Sequence, residues 1–208
     1  MPTVEIALTI LVSVLSTAAV MWFFTRDERT RRALESTDIV KVARVKPGHR
    51  VRVTGKLTVG HATLLAPFSH RVCAHYDALV EERTVEDWRD AWRVVAHETS
   101  SSAFFIEDET GKIEIDPTRF DGIIVRDHHK TKGELDVDKA RAFLARHGHG
   151  GEIPAERALR YREGVLEAGE TVTVLGVVRE ETHGTAKRLV IGDGESLVRA
   201  SDDPELVK

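Results

Sequence analysis

The amino-acid sequence predicts an amino-terminal transmembrane helix followed by a mainly β, α+β domain: a small barrel, OB-like (oligonucleotide/oligosaccharide-binding), with a helical insertion. Three observations carry this expectation. The chain is uncharged from Ile6 to Phe24, close to the ~20 residues that cross a bilayer core as a helix. Between Val51 and Ala200, short runs alternate apolar and polar residues with period two, the mark of strands with one buried face. Finally, VKPGHRVRVTGKL (Val45 to Leu57) and LEAGETVTVLGVV (Leu166 to Val178) share a turn glycine, two alternating valines and a second glycine. That pattern suits strands that leave a tight turn and then curl, as strands of a small barrel must. It fits either a duplicated unit or a common turn-strand pattern met twice.

The membrane expectation comes first in chain order. A buried globular helix of this length carries a polar stripe, whereas here the hydroxyls Thr9, Ser13, Ser16 and Thr17 can bond their own backbone. A cleaved signal peptide is the rival, but Met1 to Glu5 holds an acid rather than the expected basic residues. Arg26, Arg29, Arg31 and Arg32 follow the run, and Trp22 stands near its end. The positive-inside rule then keeps everything after residue 25 in the cytoplasm. The expected localisation is a cell membrane, crossed once, with the carboxyl-terminal domain cytoplasmic and the lipid bilayer as a partner.

The rest divides into a juxtamembrane helix or linker over 26–40, a β-rich domain over 41–200 and a tail over 201–208. Pro47-Gly48 turns the chain into a strand through Val51 and Val53. Arg71 to Glu82 reads as one long strand, with Val72, Ala74, Tyr76, Ala78 and Val80 on one face and Cys73, His75, Asp77 and Leu79 on the other. Further strands are expected at Trp92 to His97, Ala103 to Glu107 and Lys112 to Asp116, the last two joined by a turn from Asp108 to Gly111. A helical insertion is expected over about 118–163. Its first helix is capped by Asp136, places Val137, Ala140, Phe143, Leu144 and His147 on one face, and stops at Gly148. A second starts at Pro154 and ends before Gly164. Strands resume at Thr171 to Val178, Arg188 to Ile191 and Ser196 to Ala200.

Composition narrows the function classes. The 208 residues carry 30 Lys+Arg against 34 Asp+Glu, a net charge of −4, which disfavours a general nucleic-acid binder. Trp88 and Trp92 lie among Glu81, Glu82, Glu86, Asp87 and Asp90, surroundings that repel a phosphate backbone. The single cysteine, Cys73, cannot close an intramolecular disulfide and excludes zinc sites that need two or more thiolates.

Taken in order, four blocks resemble a known family, the prokaryotic relatives of the membrane-embedded GIDE-type E3 ubiquitin ligases of mitochondria and plastids. They are VKPGHRVRVTGKL, LLAPFSHRVCAHYDALVEE (Leu64 to Glu82), FFIEDETGKIEIDP (Phe104 to Pro117) and YREGVLEAGETVTVLGVV (Tyr161 to Val178). The positions matching the family motifs are Pro67, Ser69, Cys73, Tyr76, Asp108, Gly111, Gly169 and Gly176, with no role attached. The resemblance implies the domain called "beside a membrane". In the eukaryotic members a second span and a RING finger follow, and a RING needs a series of Cys and His zinc ligands. With one Cys, and the sequence ending at Lys208 without a second span, ligase chemistry is not expected to carry over.

The search for chemistry leaves few candidates. His128-His129 and His147-x-His149 are the densest histidines and fit either a metal pair or solvated loop residues. His97-Glu98 begins a zincin motif that fails, because Ser101 stands where its second His belongs. Cys73 and His75, two apart on the expected strand, are a candidate nucleophile and base, set against a small core cysteine. Glu107-Asp108-Glu109 reads as a solvated turn, and no phosphate loop, dinucleotide fingerprint or nucleophile elbow is present. No cofactor or metal is expected.

These readings converge on a membrane-anchored cytoplasmic binding or scaffold module with a protein partner of unknown identity and no nucleic acid. The alternative is a component of a ubiquitin-like conjugation or membrane-stress pathway acting with a separate catalytic subunit. A third reading is a metal- or thiol-dependent enzyme built on Cys73 and nearby histidines.

Overall fold

The structure, a computed structural model, describes residues 26–208 except 61, 87–88, 131–135, 150–157 and 184–185. The run from Ile6 to Phe24 lies outside the described residues. Among the described residues no helix is long and apolar enough to cross a membrane.

Helix α1 (26–35) and a 3₁₀ turn at Val42–Arg44 precede the first strand. The chain continues through β1 (Arg50–Val59), β2 (Leu64–Leu65), β3 (Val72–Cys73), β4 (His75–Glu86), β5 (Arg89–Ser101), β6 (Phe104–Asp108) and β7 (Gly111–Ile115). Then come β8 (Phe120–Ile123), β9 (His128–Lys130), α2 (Val137–Arg146), β10 (Leu159–Leu166), β11 (Thr171–His183), β12 (Ala186–Ile191) and β13 (Val198–Ser201).

Five of these strands close a barrel. Going round, β1 pairs with β6, β6 with β7, β7 with β12, β12 with β11, and β11 again with β1; only the β7–β12 step is parallel. The interior is the apolar set that alternation predicts, including Val53, Leu57, Phe104, Ile106, Val174 and Ile191. β13 and β8 extend the wall beyond β11.

The internal similarity has a structural meaning, because its two copies are the pair β1 and β11. They run antiparallel with Val53 opposite Val174, and the ends match across a local two-fold relation. Gly48 N donates to Val178 O at 2.8 Å, and its counterpart Gly169 N donates to Leu57 O at 2.9 Å. Both glycines hold positive φ, 77° and 92°, where a side chain would be strained. The second glycines, Gly55 and Gly176, admit close neighbours: a Cβ on Gly55 would strike the Glu107 carbonyl, and one on Gly176 would strike Ile191.

A second sheet, ordered β5-β4-β10-β9, stands beside the barrel. α2 covers one face, burying Ala140, Phe143 and Leu144. Asp136 caps it through Lys139 N at 3.1 Å, and Gly148 follows with φ 78°, as the sequence predicts; Val137, expected on the buried face, is exposed.

Two expected elements differ. Arg71 to Glu82 is not one strand, because the chain breaks at Ala74 between β3 and β4. Ala74 enters the barrel interior, while Cys73, Tyr76, Ala78 and Val80 all enter the second core. The irregularity flips the period-two alternation, so Cys73 and His75 do not share a face. The helix expected from Pro154 lies partly outside the described residues, and Leu159 to Gly164 form strand β10 instead. Pairing with β4 along Leu159–Leu166 overrides the helical start signal at Pro154. The stretch over 118–163 thus contains β8, β9 and part of β10 as well as α2.

Neither α1 nor the last residues stand apart from the domain. Leu34 packs with Leu175 and Leu206, all essentially unexposed. Arg52, only 6% exposed, donates to Leu34 O at 2.7 Å, to Thr37 O at 3.4 Å, to Thr173 Oγ1 at 3.0 Å and to Leu206 O. Its charge meets the carbonyl end of α1, where the helix dipole favours a cation.

Candidate functional site

Where α1, the barrel extension and the second sheet meet, charged side chains surround a cleft of about 290 Å³. Arg26, the first described residue of α1, reaches Asp121 on β8 at 2.5 Å, and Thr30 donates to the same carboxylate at 2.5 Å. Across the cleft, Asp77 on β4 receives the Arg126 guanidinium at 2.9 and 3.1 Å, and His97 Nε2 lies 3.2 Å from it. Burial alone would raise the Asp77 carboxyl, but the His97 hydrogen bond and the Arg126 charge hold it down at about 2. Asp27 has the opposite balance: burial, with Asp121 and Asp77 nearby, raises it despite Arg126.

His75 lines the same cleft. Its Nδ1 lies 2.7 Å from Ser101 Oγ, and its ring packs on Phe120 with centroids 4.6 Å apart. Burial drives its pKa down to about 4, with Asp77 only partly opposing. The ring is therefore neutral at pH 7. The unfolded chain regains the ordinary 6.5, so this ring's contribution is complete above that value and drains away as pH falls toward 4, by roughly 3 kcal/mol at most. Asp202 and Glu170 act in reverse: burial raises each to about 6, and acidification relieves the cost of their buried charges. His75→Gln should therefore gain stability between pH 6.5 and 4.5 while the parent stays nearly flat in thermal melts. Parallel profiles would contradict this assignment.

Cys73 lies elsewhere. It is fully buried in the second core, its Sγ is 3.8 Å from Leu64 O, and burial, aided by the Glu163 charge, pushes the thiol up to about 11. No thiolate forms there near neutral pH. Pro67 and Ser69 sit in the loop joining β2 to β3. That loop is fixed by Glu163, wholly buried on β10, which accepts from Phe68 N at 2.7 Å and Ser69 N at 3.0 Å. Phe68 then stacks on Tyr161 at 4.2 Å and meets Phe143 at 4.9 Å.

The remaining motif positions brace the architecture. Tyr76 donates to Glu98, which also faces His147 Nε2 at 2.9 Å and Arg146 at 3.5 Å; this ties the end of α2 to the sheet. Burial and the Glu98 contact raise the Tyr76 hydroxyl to about 12. Asp108 Oδ1 accepts from Thr110 N and Gly111 N, and its Oδ2 accepts from Val42 N at 3.0 Å. Slight burial would raise this carboxyl, but these bonds and the Thr110 hydroxyl hold it below its ordinary range.

The histidine candidates are dispersed. His128 packs on Tyr161 with centroids 5.6 Å apart, and burial lowers its pKa. His129 pairs opposite Arg162. His149 follows α2, its N donating to Leu144 O at 2.9 Å. Among the described residues no three His, Cys, Asp or Glu side chains gather as a metal site. Arg52, Glu163, Asp77 and Asp121 were not singled out as functional in the sequence: Arg52 and Asp77 read as polar members of alternating strands, whereas Asp121 and Glu163 fall in the stretch expected to be a helical insertion; the nearest signals were the placements of Asp77 and Glu163 inside two of the family blocks.

A family model described as GIDE, E3 ubiquitin ligase, matches residues 75–193, more than half of the chain. The match runs from the start of β4 past the end of β12. Pro67, Ser69 and Cys73 fall outside it, and Tyr76, Asp108, Gly111, Gly169 and Gly176 fall inside. No curated protein and no solved structure matches the chain.

Proposed function

The chain belongs to the GIDE family, described as E3 ubiquitin ligase, and from that premise we propose that it is a membrane-anchored, cytoplasmic binding module that holds a folded β domain against the bilayer and has no catalysis of its own. One observation carries the reading. α1, described from residue 26 onward, is locked into the domain through Arg26 with Asp121, Thr30 with Asp121, Arg31 with Asp203, and buried Leu34. An anchor at residues 6–24 would thus end within two residues of a segment fixed to the domain.

The barrel order β1-β6-β7-β12-β11, with its single parallel step, supports an OB-type barrel. Its outer wall favours a protein partner over nucleic acid, because several of its cations are already engaged. Lys112 lies over the Phe105 ring at 4.4 Å, and Arg188 is bound to Glu114 and Glu181 at 2.6 Å each. A wall so neutralised releases few counterions to a phosphate backbone. The family description favours a second reading, participation in ubiquitin-like conjugation. In that reading a separate subunit supplies the transfer chemistry, since the single cysteine in these 208 residues provides no RING ligand set.

Three measurements test the proposal. The full chain should remain with membranes through an alkaline carbonate wash, and a reporter fused to Lys208 should be active in the cytoplasm. Release by the wash, or activity of a periplasmic reporter, would overturn the anchoring. Native Cys73 should resist iodoacetamide until the domain is denatured. Rapid alkylation below pH 7 would overturn the non-catalytic half and restore the thiol enzyme.

A further inference from the structure

On the face of the second sheet turned away from α2, four cationic or imidazole side chains converge. β10 supplies Arg160 and Arg162, β9 supplies His129 opposite Arg162, and Arg126 rises from the segment between β8 and β9. Together they line a hollow of about 280 Å³. Two are already engaged: Arg160 donates to Glu81 at 2.6 Å and lies over the Trp92 ring at 4.1 Å, and Arg126 holds Asp77. These bonds fix the two guanidinium planes in place. Arg162 is half-buried and makes no hydrogen bond or ion pair with any described residue. A guanidinium carries five donors and no acceptor, and here none is used.

We propose that this hollow binds a single phosphate group. Planar N–H forks match phosphate oxygens two at a time. Arg162 offers an unused fork beside two guanidinium groups whose orientation is already set, which removes much of the ordering cost of binding. The buried acids Glu81 and Asp77 balance Arg160 and Arg126 and leave a surplus of one cation, which suits a single small anion rather than a polyanion. The phosphate has two possible sources, a lipid headgroup and a free phosphate. Arg126 also lines the cleft that contains Arg26, the residue just after the proposed anchor, so a headgroup is within reach where that anchoring holds. The lipid source rests on the reading above; the phosphate site does not.

The test uses the full chain in neutral detergent micelles. Inorganic phosphate is titrated calorimetrically. In parallel, micelles doped with phosphatidic acid are analysed by native mass spectrometry for lipid retained on the protein. Wild type should bind one equivalent of one probe or both. Arg162→Gln should weaken that binding about tenfold or more with a nearly unchanged melting temperature, since the Arg162 side chain makes no hydrogen bond or ion pair with any described residue. Arg162→Lys, which keeps the charge but not the fork, should fall between. Binding of phosphate in water supports the site whatever becomes of the anchor, and retention of phosphatidic acid without phosphate binding assigns it to the bilayer. No saturable binding of either probe, or equal binding by Arg162→Gln, overturns the proposal.

Discussion

A fragment beginning at residue 41 is expected to lose cooperative folding, while one beginning at Arg26 keeps it. The shorter fragment lacks Leu34, whose burial against Leu175 and Leu206 contributes roughly 2 kcal/mol. It also removes the Leu34 and Thr37 carbonyls that receive the buried Arg52 guanidinium. Arg52 then keeps only Thr173 Oγ1 and Leu206 O, and a charge that loses part of its acceptor set costs about 3 kcal/mol. The sum, about 5 kcal/mol, approaches the whole stability of an ordinary domain. Arg52→Met in the 26–208 fragment should reproduce the larger share by leaving the Leu206 and Leu34 carbonyls without their donor. Thermal or urea melts of the three proteins decide the matter. A 41–208 fragment that melts within a few degrees of 26–208 would show that α1 is an appendage after all.

The second large effect is expected at Glu163. Glu163→Leu leaves the Phe68 and Ser69 N–H groups without an acceptor inside the second core, at about 1 to 3 kcal/mol for each unsatisfied group. It also frees Phe68 from its place between Tyr161 and Phe143. A loss of roughly 3 kcal/mol should appear as a lower urea midpoint. Glu163→Gln, which keeps one carbonyl acceptor and nearly the same shape, should lose about 1 kcal/mol. Equal losses for the two variants would mean that cavity shape, not acceptance of the loop amides, is what matters there.

The barrel was legible in the sequence because its signals are local. Turn glycines at Gly48 and Gly169, alternating valines, and the Asp108 to Gly111 turn each follow from backbone chemistry at one place. The repeat went further, since its two copies turned out to be paired neighbours. What period two cannot say is what covers a face. Arg52 occupies a polar slot in an alternating strand and so resembles a solvent-facing residue, and Glu163 falls in a stretch read as helix, yet α1 and the β2–β3 loop lie over them. The same blindness hid the kink at Ala74, which separates Cys73 from His75 and dissolves the proposed nucleophile and base. The stretch after Pro154 reads as helix, because a helix-start signal is local while the competing β4 partner lies far away in the chain. The polar cleft was invisible for that reason too: Arg26, Asp77 and the nearby Asp121 and Arg126 come from three separate stretches, and no local pattern joins them.

The pairing of β1 with β11 also sets a timetable for synthesis. Thr54 and Thr173, bonded through their hydroxyls, are 119 residues apart, so the barrel cannot close until most of the chain has left the ribosome. By then β4 and β5, joined by a short hairpin, already have one another, whereas β1 has only the later β6 along its far end. Contacts this distant in sequence slow folding, and an unpaired strand with Val51, Val53 and Leu57 facing water is prone to wrong partners. β1 pairs with β11 up to Lys56 and with β6 from Lys56 onward, so each later partner covers only part of the exposed strand.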